Sequence, residues 1–484
     1  MLERAVLISY YAVLSTVTLY AVHRSHLVAL RRRTRLPKPR SGEHHWPSLT
    51  VQLPLFNEPA VAARVIEAAA ALEYPGQIDI QVLDDSIDET VQVVEGVVAR
   101  LRRRGIRIEH IRRESRDGYK AGALAFGMTR SSSELFAIFD ADFVPAPDTL
   151  TRMVPMFSDP SVGMVQARWG HLNADESLLT RAEAIFLDAH FAVESAARFA
   201  SGRFFNFNGT AGIWRRAAID AAGGWSATTL TEDLDLSYRA QLAGWRFVFL
   251  PDVEVPAELP PTAVTFQEQQ FRWAKGSIQT ARKLLGSILF APIPLASRVE
   301  AWYHLTGNVA YLLTLLLTLL IVPAIIVRSS LGLHWLLIVD ALLFFASTGS
   351  VIRFYIVGQH LLGRATPPAR VLLALLPIGM SLSVRNTAAV LEGLFHRGGI
   401  FHRTPKRGAA ERLTRERRPR LPVGETVIAL FFISAIVTLI AAREYASVPF
   451  LLLFLGGYAY AAVAGLSARL ITPVENPVAV ADRS

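Results

Sequence analysis

Four short clusters in the middle of the chain carry residue types that do chemistry. They follow in the order Asp84-Asp85, Asp140-Ala141-Asp142, Thr231-Glu232-Asp233 and Gln269-Gln270-Phe271-Arg272-Trp273. Three are acidic and the last is basic and aromatic. Two aspartates one residue apart offer oxygen ligands to Mg²⁺ or Mn²⁺, cations that take a few carboxylates together with the phosphate oxygens of a substrate. Asp140 and Asp142 have this spacing directly behind the apolar run Leu135–Phe139. Acidic pairs also serve in turns and as helix caps; the place at a strand end favours the metal. Asp84 and Asp85 close the run Ile78–Leu83 in the same way, with Asp85 or Asp88 suited to capping the next helix and Asp84 left to meet a nucleotide.

A hydroxyl attacks poorly unless its proton is removed as the new bond forms, so group transfer to a hydroxyl needs a carboxylate base. Asp233, with Glu232 beside it, is the candidate; the alternative is that both carboxylates only offset the dipole at a helix N-terminus after Thr231. Lys120 opens a helix after the turn Asp117-Gly118-Tyr119, where it suits a phosphate or a base, or simply faces solvent. Gln269, Arg272 and Trp273 lie at i, i+3 and i+4 and share one helix face. Arg272 would meet a diphosphate and Trp273 would stack on a sugar ring; an interfacial anchor beside a lipid headgroup is the other reading. Together the clusters suit transfer of a sugar from a nucleotide diphosphate, with Mg²⁺ or Mn²⁺ as cofactor.

The elements that must position these groups alternate. Ser48–Phe56, Ile78–Leu83, Ile106–Ile111 and Leu135–Phe139 read as strands, Ala60–Leu72 as a helix, and Val94, Val97, Val98 and Leu101 fall at helical spacing. Such alternation predicts an α/β domain over 48–262, a mostly parallel sheet with helices on both faces and ligand groups at the strand ends. Residues 264–290 read as an amphipathic helix lying on the inner leaflet, with Arg272, Lys275, Gln279 and Arg282 on one face and Phe271, Ile278 and Leu285 elsewhere, so 263–300 is set apart as interfacial.

The flanks are apolar. Ala5–Val22 carries no charge and is followed by Arg24, Arg31, Arg32, Arg33, Arg35, Lys38 and Arg40, which reads as a retained anchor over 1–47 with its N-terminus outside. Tyr303–Val327, Trp335–Ile352, Val423–Ala441 and Pro449–Leu466 add four spans within 301–484, giving about five. Residues 368–395 carry Arg385, Asn386 and Glu392 and are expected to lie at the interface or face a protein-lined cavity, not to cross. That parity keeps the basic loop 396–422 on the cytoplasmic side. The net charge of +9 over 484 residues is therefore read as membrane topology, with no nucleic acid partner, and the absence of cysteine excludes disulfides and thiolate chemistry.

In the order of its four clusters the chain resembles the processive family-2 glycosyltransferases, the group of cellulose, hyaluronan and chitin synthases and the cellulose-synthase-like mannan synthases. The resemblance implies a GT-A fold, Asp84 and Asp140/Asp142 on nucleotide and metal, Asp233 as base, and Gln269, Arg272 and Trp273 at acceptor and diphosphate. It implies inversion, an α-linked donor giving a β-linked product. Asn208-Gly209-Thr210 is similar to the Cys-Gly-Ser segment that lies beside the acceptor sugar in cellulose synthases, with the cysteine replaced. Phe401-His402-Arg403-Thr404-Pro405-Lys406 is similar to their gating loop, which would put Thr404 and Lys406 on the nucleotide, although a basic cytoplasmic loop accounts for them as well. Gln52–Glu58 and Arg272–Gly276 are closest to the cellulose-synthase-like A branch, which makes β-mannan or glucomannan.

The expected protein is a multi-pass plasma (bacterial inner) membrane enzyme with a cytoplasmic catalytic domain. It would move hexose from GDP-mannose or UDP-glucose onto a growing β-linked, β-1,4 glycan, with translocation and with export or accessory subunits as partners. Trp302, Tyr303, Tyr311, Asp340, Tyr458 and Tyr460 are candidates to line a glycan path, or simply to pack. A glycolipid synthase acting on a membrane lipid and a non-catalytic assembly subunit are the alternatives.

Overall fold

The computed structural model describes residues 1–34, 36, 45–396 and 420–471. Its central sheet has seven strands: β1 (Leu49–Leu55), β2 (Ile78–Asp84), β3 (Ile108–Ile111), β4 (Leu135–Ile138), β5 (Val162–His171), β6 (Gly212–Arg215) and β7 (Arg246–Ala257), in the order β3-β2-β1-β4-β6-β5-β7. β1 pairs in parallel with β2 and β4, β2 with β3, and β5 with β7; β6 alone runs against its neighbours β4 and β5. The mostly parallel sheet read from the sequence is present, with one reversed strand.

Strands buried on both faces read as continuous apolar runs. Along β4, Leu135 and Ala137 enter one core with Val51, Leu53 and Val65, while Phe136 and Ile138 enter the other with Leu124, Trp214 and Leu236. The covering helices are α2 (Pro59–Ala70), α3 (Thr90–Arg103), α4 (Tyr119–Thr129), α5 (Thr149–Met153), α6 (Leu178–Ala189), α7 (Ala196–Ala200), α8 (Arg216–Ala221) and α9 (Glu232–Leu242). A π-helical turn, His190–Ser195, joins α6 to α7.

Among the described residues five helices are long and apolar enough to cross a membrane: α1 (Leu2–Arg33), α12 (Val309–Ser330), α13 (Leu336–Leu361), α16 (Val423–Ala441) and α17 (Val448–Ile471). Between these and the sheet lie α10 (Ala263–Phe290), α11 (Leu295–Thr306), α14 (Ala369–Met380) and α15 (Ser383–Phe395). α14 and α15 bend by 43° at their junction and together pass the same test of length and composition. Of the polar residues that set this segment apart, Asn386 of α15 is fully buried, while Arg385 and Glu392 are partly exposed. α1 packs along α12 and α13, and its Leu27 and Val28 share a core with Ile185 and Ala189 of α6 and Val357 of α13. The catalytic domain and the bundle are thus joined through α6 and α10.

Several side chains expected along a glycan path are engaged in packing. Asp340 pairs with Arg328, the Tyr458 hydroxyl lies 2.8 Å from Thr318 Oγ1 and 2.9 Å from Ser383 Oγ, and Tyr303 stacks on His23 at 4.1 Å.

Candidate active site

β1, β2, β4, β5 and β7 all deliver their C-terminal ends to one edge of the sheet, and an open cleft runs along it.

β4 runs through Phe139 directly into Asp140, whose backbone N–H donates to Thr210 Oγ1 at 2.8 Å. Asp140 and Asp142 both line the cleft. Lys120, in the first turn of α4, donates to Asp140 Oδ1 and, at 2.8 Å, to the Gly209 carbonyl. Burial lowers the Lys120 pKa, but Asp140 and Glu232 outweigh it and hold the ammonium above its ordinary value. Among the described residues no three His, Cys, Asp or Glu side chains gather as a ready metal cage. Mg²⁺ and Mn²⁺ bound with substrate phosphate need no such cage, since one or two carboxylates and water complete their shell. The Asp140/Asp142 pair fits that requirement.

Glu232 and Asp233 occupy the first turn of α9, behind Thr231, and both line the cleft. Asp233 Oδ1 accepts the Leu234 N–H at 2.8 Å. Burial, reinforced by the neighbouring Glu232 charge, pushes the Asp233 carboxyl up to about 7, and burial also raises Glu232. A carboxylate tuned towards neutrality is matched to proton abstraction near pH 7. The third acid of the cluster differs: Asp235 is fully buried and tied to Arg239 and Lys283. Gly209, at φ +82°, sits against this group, and a Cβ there would lie 3.0 Å from Asp233 Oδ2.

Gln269, Arg272 and Trp273 project from the first half of α10 into the same cleft. Burial lowers the Arg272 guanidinium to about 10 against the pull of Glu268, Glu232 and Asp140. The Trp273 ring stands 6.4 Å from that of Trp169, at the end of β5. Gly276 lets α10 press on the loop before α9, since a Cβ there would come 2.9 Å from the Thr231 nitrogen.

Residues 47–276 match the sequence profile of the family described as "Glycosyltransferase like family 2". The chain is 48% identical over 254 residues to glucomannan 4-beta-mannosyltransferase 2 of Arabidopsis thaliana, which covers 51% of this chain and 48% of that protein. It is 35% identical over 403 residues to probable glucomannan 4-beta-mannosyltransferase 9 of Oryza sativa subsp. japonica, covering 80% of this chain and 74% of the relative. The chain belongs to glycosyltransferase family 2. Its relatives place it with the cellulose-synthase-like A branch. The chain spans about half the length of most of the curated relatives it matches. Among solved structures, a mannosyltransferase from Pyrobaculum calidifontis, in complex with GDP-Man and Mn²⁺, is similar in fold with a TM-score of 0.55 at 19% identity, over 82% of this chain and 99% of that one.

In this family 2 protein the remaining expected residues separate into groups. Asp84 is buried beneath the cleft, where it accepts from the Ser86 N–H and contacts His110 Nε2, each at 2.9 Å, and it does not line the opening. Asp85 does, held by two hydrogen bonds from Arg113. Asp88 lies one residue before the N-cap Glu89 of α3 and accepts the Thr90 N–H at 3.0 Å. Asn208 and Gly209 line the cleft, and Thr210 lies behind them. Thr404 and Lys406 lie outside the described residues.

The polar face of α10 is not open to headgroups throughout. Lys275 pairs with Glu392 at 2.9 Å, and Gln279 accepts the Leu230 N–H at 2.9 Å and donates to the His396 carbonyl at 3.2 Å. Sequence reasoning missed Trp169 and His171 on the cleft wall, although Trp169-Gly170-His171 closes the long apolar run that forms β5. It also missed Arg116, whose guanidinium covers the Phe56 ring at 3.3 Å and which lines the cleft together with Asp85.

Proposed function

We propose that this protein is an inverting mannosyltransferase that moves mannose from a nucleotide diphosphate donor to the end of a growing β-1,4-linked glycan. The observation that carries the reading is the convergence of Lys120, Asp140, Asp142, Asp233, Arg272 and Trp273 on one cleft. Relatives named as glucomannan 4-beta-mannosyltransferases support mannose over glucose.

Asp233 accepts the proton of the acceptor hydroxyl. The freed oxygen attacks the anomeric carbon from the side opposite the diphosphate, the anomeric C–O bond breaks, and the diphosphate leaves with the electron pair, so configuration inverts. Arg272 and Lys120 face the charge that grows on the departing group. Trp273 offers a ring face to the acceptor sugar. Asp140 and Asp142 would hold a Mg²⁺ or Mn²⁺ ion, which when bound offsets the charge of the diphosphate. Asp85, beside Phe56 and Arg116, replaces Asp84 as the carboxylate for the nucleobase.

The five apolar helices among the described residues support a membrane protein. The Arg31–Arg33 flank after α1 supports a catalytic domain on the cytoplasmic side of a plasma or bacterial inner membrane, from which the spans would pass the glycan outward, alone or with export subunits. Full-length protein in nanodiscs, given GDP-mannose or UDP-glucose with Mn²⁺ or Mg²⁺, tests the reading when its product is digested with linkage-specific hydrolases. A mannanase-sensitive polymer made from GDP-mannose is expected. A short glycolipid would favour the lipid acceptor, and no release of nucleoside diphosphate by wild type would leave only an assembly role.

A further inference from the structure

Behind the cleft, the amide of Asn208 is oriented by a chain of hydrogen bonds that the catalytic residues do not use. Asn206 Nδ2 donates to the Phe207 carbonyl at 3.0 Å, which fixes it as the nitrogen, so the atom it meets on Asn208 is the oxygen Oδ1. Asn208 Nδ2 therefore points to His190, 3.3 Å from Nε2. An amide nitrogen only donates, so His190 Nε2 accepts and the ring proton sits on Nδ1. There it donates to Glu194 Oε2 at 3.0 Å.

Glu194 is in turn backed by Arg198, 3.7 Å away, and Arg198 Nε donates to Glu300 of α11 at 3.0 Å. Burial pushes the Glu194 carboxyl up, but the His190 hydrogen bond and the Arg198 guanidinium outweigh it and leave it well below the ordinary range. His190 and Glu194 lie in the π-helical turn between α6 and α7. Such turns interrupt a helix at the expense of regular hydrogen bonding and are frequent at functional sites. A plain i,i+4 ion pair would need neither the turn nor a neutral ring aimed at a residue of the cleft wall.

We infer that His190, held in one tautomer by Glu194, is a positioning residue that fixes the Asn208 amide so that its second N–H is presented to a hydroxyl of the acceptor sugar. The inference rests on the transferase reading above and deepens it on the acceptor side. Asn208 adjoins Gly209, which sits against the proposed base Asp233, so the arrangement serves the acceptor side and the donor half of the reaction is expected to be indifferent to it.

The test uses full-length protein in nanodiscs with GDP-mannose as donor and β-1,4-mannohexaose as acceptor. Donor hydrolysis without acceptor is measured beside transfer. His190→Ala raises the KM for mannohexaose about 5- to 10-fold, the size of one lost oriented hydrogen bond, with donor KM and hydrolysis unchanged. His190→Gln, whose amide oxygen can accept from Asn208 where Nε2 did, restores the acceptor KM. Glu194→Ala follows His190→Ala. An unchanged acceptor KM in His190→Ala overturns the inference, as does a parallel loss of hydrolysis in His190→Ala and His190→Gln alike, which would mark a packing role. Wild-type protein that releases no GDP would overturn the transferase reading itself, an outcome separate from these.

Discussion

Replacing Glu232 with glutamine should move the acid side of the pH profile in a direction that the geometry dictates. Asp233 is raised to about 7 first by burial and second by the Glu232 charge. As a base it works only when ionised, so about a tenth of the protein is active at pH 6, half at pH 7 and about nine tenths at pH 8. Acceptor-dependent kcat/KM in the wild type should therefore fall about 10-fold from pH 8 to pH 6. Glu232→Gln removes the like charge and leaves the burial, so the inflection should slide to lower pH, by roughly one unit for each ~1.4 kcal/mol of repulsion relieved. The height of the plateau is not the readout, since Glu232 itself lines the cleft. The assay is nucleoside diphosphate release at saturating Mn²⁺ from pH 5.5 to 8.5. An inflection that stays put or rises in Glu232→Gln, or a wild-type rate that is flat down to pH 5.5, would refute the assignment of Asp233 as the base.

Stability should carry the opposite signature. A folded-state pKa raised above the unfolded value of 3.8 stabilises the fold fully below that value, and the contribution is lost as pH rises through about 7. Asp233→Asn should accordingly have a higher Tm than wild type at pH 8, a gain that shrinks by pH 5, while losing about 10²- to 10⁴-fold in transfer rate. Gly209→Ala should lose about 1 kcal/mol or more in chemical denaturation because of its positive φ, and should lose activity because its methyl would crowd Asp233. Asp142→Asn should raise the Mn²⁺ concentration for half-maximal activity about 10-fold, with Asp88→Asn as an unaffected control, and chelation should silence both until Mn²⁺ is returned.

The chemistry was legible in the sequence where a catalytic residue abuts a strand that cannot be misread. Leu135–Phe139 is wholly apolar and ends on Asp140, so the pair behind it had to emerge at the sheet edge. The same logic could not choose between Asp84 and Asp85, because adjacent residues at a strand end point to opposite sides. The backbone hydrogen bond from the Asp85 N–H to the Leu55 carbonyl, 3.0 Å, prolongs the β1–β2 ladder and turns Asp84 under the cleft. β6 escaped notice because four residues behind a glycine-containing loop give no period, and β7 because Pro251 and Pro256 interrupt it, as proline does where a strand is bulged or unpaired. The polar face of α10 was visible, but amphipathicity alone does not say whether its partner is lipid or protein. Lys275 and Gln279 found theirs on α15 and on the loop between α8 and α9.

α10 belongs to both halves of the molecule. Its first turns furnish the Gln269, Arg272 and Trp273 wall of the cleft, and its later turns are clasped by α15 and α11. A water-soluble fragment cut after Pro261 would keep every strand and the Asp140 and Asp233 clusters, yet would lack one side of its own pocket. Extending the cut past α10 would instead leave Lys275 without Glu392 and Gln279 without the His396 carbonyl, so preparations of this protein should be designed around detergent or nanodiscs from the start.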